Sequence, residues 1–219
     1  HPGYLSFCQH LADKWDTEQV IFIGDILDMH TVSFHAREPD APGSEDEAEQ
    51  TRRLVSRWHE AFPSSTVTIG NHDERVHRLA SSVNIPARFI REFADVWGTP
   101  TWKWVRTVAV DRVTYIHGTG CGGATPALNA AKKFMGSIVC GHIHSCGGVH
   151  WAAGPTSRIF GMDTGCGIDV NHPAMNYGRN MLAKPILAAG VVLDGVPYHE
   201  PMPMARGEAF HRSKFKGKR

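Results

Sequence analysis

Four short polar blocks constrain this chain more than anything else in it: Gly24-Asp25-Ile26-Leu27-Asp28, Gly70-Asn71-His72-Asp73, His117-Gly118 and Gly141-His142-Ile143-His144. Each follows an apolar, β-prone run, at residues 19–23, 66–69, 113–116 and 138–140. A buried strand that gives way to polar residues opens a loop at the edge of its sheet, and that edge is where open α/β sheets bind ligands. The blocks would carry one carboxylate, one amide and three imidazoles to a single rim. Such a mixture is a ligand set for metal ions.

The segments between the blocks read as helices and further strands. Residues 5–15 place Leu5, Cys8, Leu11 and Ala12 on one helical face. Ser44 is the expected N-cap of a helix reaching to Phe62, its first turn rich in acid (Glu45, Asp46, Glu47) and its end set by Pro63. Residues 74–82 and 86–97 are expected to be helical, and 102–105, 107–110 and 113–116 to be short strands. Thr125 is the expected N-cap of a helix opened by Pro126 and running to about Phe134. Residues 158–162 and 186–194 return to strand. The expected fold is α/β, with two mixed β-sheets packed face to face and flanked by helices.

Length and composition bound what such a fold can be. The chain's 219 residues, 42% hydrophobic and 21% charged, suit one soluble globular domain, expected over residues 1–205, with a basic tail at 206–219. No apolar run approaches the roughly 20 residues of a membrane-spanning helix, and the N-terminus has no signal-peptide pattern, so the expected compartment is the cytoplasm. Five cysteines without a CxxC pair point to reduced thiols. A net charge of +1 announces no nucleic-acid binding in bulk. The tail, with Arg212, Lys214, Lys216, Lys218 and Arg219, reads as a solvated terminus or as a phosphate-binding arm.

Asp25 offers two oxygens and can bridge two cations, Asn71 offers a carbonyl oxygen, and His117, His142 and His144 offer ring nitrogens. Oxygen and nitrogen donors without thiolate suit manganese, iron or zinc, manganese foremost. Two such ions about 3.5–4 Å apart can hold a bridging hydroxide that attacks a phosphoryl group. His72, next to Asn71, is then the candidate general acid, and Asp28 the acceptor that fixes its ring. His35, in the loop after Asp28, and Arg75 are candidate substrate contacts, as are His30 and Arg78.

Each of these residues also has a plainer reading. Gly-Asp and Gly-Asn are ordinary turn signals, and a lone buried histidine is more often a satisfied core residue than a ligand. Cys140, His142, His144 and Cys146 alternate along an extended chain and could bind structural zinc. Trp97, Trp102 and Trp104 could stack on bases, though core packing is the plainer account. Cys166 reads as a buried, inert thiol.

GDILD, GNHD, HG and GHIH, in this order, resemble the motifs of the calcineurin-like metallophosphoesterases, and residues 160–169 are similar to those of phage-encoded members. The resemblance implies that Asp25, Asn71, His117 and His142 hold one ion and that Asp25 and His144 hold the second. It also implies His72 as acid and Asp28 as its partner. The family opens on a DxH motif, absent before Asp25, so a first strand carrying it is expected upstream of His1. The implied activity is metal-dependent hydrolysis of a phosphate ester, a phosphodiester or nucleotide above others, in the host cytoplasm if phage-encoded. A manganese-dependent nuclease and a metal-poor scaffolding protein of the same fold are the alternatives.

Overall fold

The structure, a computed structural model, describes residues 1–33, 43–169 and 182–203. His35 and the basic tail lie outside the described residues. The chain is α/β, with sheets flanked by helices, and divides into two compact units: residues 19–107, and residues 1–18 with those from 108 on.

In the 19–107 unit, β1 (Val20–Phe22), β2 (Ser65–Thr68) and β3 (Lys103–Val105) form a parallel sheet in the order β1-β2-β3. α2 (Ser44–Ala61) joins the first two strands. Its N-cap is Gly43, and the expected cap Ser44 is the first helical residue; no side-chain hydrogen bond caps the helix. After β2 come α3 (Arg75–Ser82) and α4 (Phe93–Trp97). The continuous helix expected over 86–97 is instead a 3-10 turn at Ala87–Phe89 followed by α4, because Ile90 is extended between them. The core gathers Leu27, Met29, Val55, Val67, Trp97 and Trp102. Trp97 and Trp102 are buried in it and Trp104 packs against it, so the three tryptophans are core rather than a base-stacking platform.

The other unit is built on a mixed five-stranded sheet in the order β4-β5-β6-β8-β7, formed by β4 (Thr107–Val110), β5 (Val113–Ile116), β6 (Ser137–Cys140), β7 (Gly147–Ala153) and β8 (Arg158–Thr164). β5, β6 and β8 run parallel and β7 is antiparallel to β8. β9 (Ala188–Leu193) and β10 (Val196–Pro201) make a separate antiparallel ribbon, so the described residues form three sheets rather than two. Asp194 and Gly195 turn this ribbon with φ of 49° and 75°, the left-handed pair a tight hairpin needs. α1 (Tyr4–Trp15) buries Phe7 and Leu11 against Leu187 and Met202.

α5 (Pro126–Phe134) lies on β8 so closely that a Cβ at Gly161 would meet the backbone of Ala127 and Leu128. Thr125 is its N-cap, as expected, but makes no side-chain cap bond. The Asp163 carboxylate on β8 instead accepts from the Ala127 N–H at 3.3 Å. Among the described residues no helix is long and apolar enough to cross a membrane.

Candidate functional site

In the 19–107 unit, two loops leaving adjacent parallel strands carry the first two blocks. Asp25 follows β1 and takes a left-handed backbone, φ 51°, which aspartate tolerates better than most side chains. Gly70 follows β2 and has no room for a side chain: a Cβ there would meet the Asp25 carboxylate and backbone nitrogen. Glycine is therefore required for the two loops to touch.

Asp73 ties the loops together. Its carboxylate is buried and accepts from the backbone N–H groups of Gly70 (2.7 Å), Asp25 (2.9 Å) and Leu27 (3.1 Å). Burial pushes its pKa up to about 6; the Gly70 bond opposes the rise and the Asp25 charge adds to it. Asp25 in turn accepts from the His72 N–H through Oδ1 at 2.9 Å. Asn71 is half-buried in the same loop.

The His72 ring is held by Asp28. Nδ1 lies 2.9 Å from Asp28 Oδ1, and Arg75 Nη1 reaches the same oxygen at 2.6 Å. Burial alone would raise the Asp28 pKa, but the His72 hydrogen bond and the Arg75 charge outweigh it and hold the carboxyl below its usual range. An ionised carboxylate can only accept, so Nδ1 carries the proton of this bond. Nε2 then faces Asp25 Oδ2 at 3.9 Å and Arg75 Nη2 at 3.3 Å. Arg75 is largely buried and committed to Asp28, including its main-chain carbonyl, rather than solvated on its helix. Glu47 on α2 anchors the end of this loop, accepting from His30 N (2.6 Å) and from Thr31 N and Oγ1 (2.9 and 2.6 Å).

In the other unit, His117 after β5 is buried and His142 after β6 is half-buried. Their rings meet edge to face, with His117 Nε2 and His142 Nδ1 3.0 Å apart. His142, like Asp25, sits at positive φ, 67°. The Gly141 N–H donates to the His117 carbonyl at 3.0 Å and so fixes the two loops to each other. His117 and His142 thus bring two ring nitrogens side by side in this unit, and Asp25 offers carboxylate oxygens in the 19–107 unit; imidazole nitrogen and carboxylate oxygen are donor types that could hold a metal ion. The His144 carbonyl accepts from Ile186 N at 2.7 Å.

Cys140, His142, His144 and Cys146 do not converge as a zinc cluster among the described residues. Cys140 is turned toward Asp163, with Sγ 3.5 Å from Oδ1, and burial together with that carboxylate pushes its thiol far up. Cys166 is half-buried, and burial raises its thiol as well.

Asp73, Asp163 and Glu47 carry much of the order around these loops, and sequence reasoning gave them no role at the site. Asp73 stood inside a recognised block. Nothing in a sequence separates a carboxylate that gathers backbone N–H groups from one that faces water. Neither family models nor curated protein sequences match this chain.

Proposed function

We propose that this chain is a metal-dependent phosphoesterase of the calcineurin-like kind, acting on a phosphodiester or nucleotide. In this reading Asp25, Asn71, His117, His142 and His144 supply donors to two divalent ions, manganese foremost, and His72 is the general acid. The observation that carries the reading is the pair of ring nitrogens, 3.0 Å apart, that His117 and His142 present after adjacent parallel strands. Carboxylate oxygen and imidazole nitrogen fit manganese, iron or zinc, and the protonated Cys140 thiol offers no thiolate to compete.

When bound, such ions polarise phosphoryl oxygens. The chain's own residues orient and protonate. Asp28 holds Nδ1 of His72, which leaves Nε2 as the atom to serve as acid; Nε2 now accepts from Arg75 Nη2 at 3.3 Å, so it gives a proton to the departing alkoxide only in the imidazolium form, with that contact released. Arg75 fixes Asp28. Asp73 keeps the Asp25 and Asn71 loops in register.

The test is metal counting together with a panel of phosphomonoesters, phosphodiesters and nucleotides assayed in manganese. Two ions per chain and manganese-dependent turnover are expected. His72→Asn is expected to lower kcat by about 10²-fold or more while metal content stays unchanged. Failure to take up manganese overturns the reading, and loss of metal in His72→Asn overturns the role given to His72.

A further inference from the structure

Among the described residues, the 19–107 unit carries an apolar projection that no core cluster includes. Among the described residues twelve large hydrophobic side chains are exposed, and five of them, Val76, Leu79, Val83, Ile85 and Phe89, lie on α3 and the turn that follows. Residues 81–89 are exposed without interruption. Val76, Leu79 and Val83 recur at helical spacing and form one stripe on α3. The inner side of the helix is already satisfied, by buried Ala80 and by His77 stacked on Phe93 at 4.5 Å.

The projection is also ordered. Val83 N and Ile85 N donate to the Ala80 carbonyl at 3.3 and 2.9 Å, Asn84 N to Ser81 at 3.1 Å, and Phe89 N to Pro86 at 3.0 Å. Phe89, 72% exposed, and Val83, 61% exposed, are thus presented on a fixed backbone. The charge around them has one sign: from Val76 to Arg91 the formally charged residues are Arg78, Arg88 and Arg91, and Glu92 is the first acid. Among the described residues no ion pair engages those three arginines.

We propose that this element docks the chain onto an anionic lipid surface, with Val83, Ile85 and Phe89 entering the headgroup layer and Arg78, Arg88 and Arg91 among the lipid phosphates. An apolar face collared by arginine is the composition that lies in a bilayer interface. A second copy is a poorer occupant, because a self-complementary contact would set arginines against arginines. Single-stranded nucleic acid is poorer too, since four of the five apolar side chains are aliphatic and give bases nothing to stack on. The proposal stands apart from the phosphoesterase reading and its test does not use turnover.

The test is co-sedimentation of the full chain with phosphatidylcholine vesicles and with vesicles also containing phosphatidylglycerol, at low and high salt. Binding to the anionic vesicles alone, weakened by salt, is expected. The double variants Val83→Asp/Phe89→Asp and Arg88→Glu/Arg91→Glu change only exposed side chains and are each expected to lower partitioning by about tenfold or more. The first variant leaves every basic residue in place, so it separates this element from the basic tail. No binding by the native chain, native binding by the Val83→Asp/Phe89→Asp variant, or a dimer that this variant splits would each overturn the proposal.

Discussion

Gly70→Ala is the sharpest test of how the 19–107 unit builds its site. A Cβ at Gly70 would lie in contact with Asp25 Oδ1, Cγ and N, so one of the two loops must move. Overpacking of this sort costs about 1–3 kcal/mol. Separating the loops also weakens the bonds from Gly70 N and Asp25 N to Asp73, worth about 1 kcal/mol or more each. Against this, alanine gains about 0.4–1 kcal/mol by restricting the unfolded chain. The net expected loss is about 2–4 kcal/mol. With a urea dependence of about 1–3 kcal/mol per molar, the midpoint falls by about 1–2 M. Trp58, Trp97, Trp102 and Trp104 all belong to this unit, so tryptophan fluorescence reports its unfolding. Gly122→Ala is the control, because nothing lies within 4 Å of its Cβ position; its midpoint is expected to stay or rise slightly. A Gly70→Ala chain that unfolds at the native urea concentration, or a Gly122→Ala chain that loses as much, would refute the argument from close approach.

Asp25→Asn keeps an oxygen for the His72 N–H, so it is expected to reduce manganese affinity by calorimetry with a stability change within about 1 kcal/mol; unchanged affinity would remove Asp25 from the donor set. Asp28 has a depressed pKa in the folded state, so its ionised form stabilises the fold above the unfolded value of about 4, and that contribution is lost as pH falls through the folded value. The stability gap between the native chain and Asp28→Asn is therefore expected to be constant near neutrality and to shrink in acid; urea midpoints from pH 3 to 7 that keep a constant gap would contradict it. Ile138, fully buried on β6 beneath α5, is expected to cost about 2–5 kcal/mol as Ile138→Ala. A smaller loss by urea unfolding would mean that α5 collapses into the space.

The strands that deliver the polar blocks were legible because their apolar runs end abruptly, and β1, β2, β5 and β6 follow the expected runs closely. β7 escaped notice because Gly147, Gly148, Ala152 and Ala153 give it little β-propensity, and its place is won by pairing with β8. β10 had a readable signal, Asp194-Gly195 between apolar runs, which marks a hairpin and not the end of a strand.

Sequence alone determined the α/β class, the order of the polar blocks and the donor types they offer, because strand ends and ligand chemistry are local properties of a few adjacent residues. Tertiary structure alone decided that Gly70 must be bare beneath Asp25, that Asp73 gathers three backbone N–H groups, that Asp28 is shared between His72 and Arg75, and that Asp163 caps α5. Each of these joins residues distant in the chain. The role of a buried carboxylate is set by which donors the fold brings to it, and no pattern of neighbours in the sequence records that.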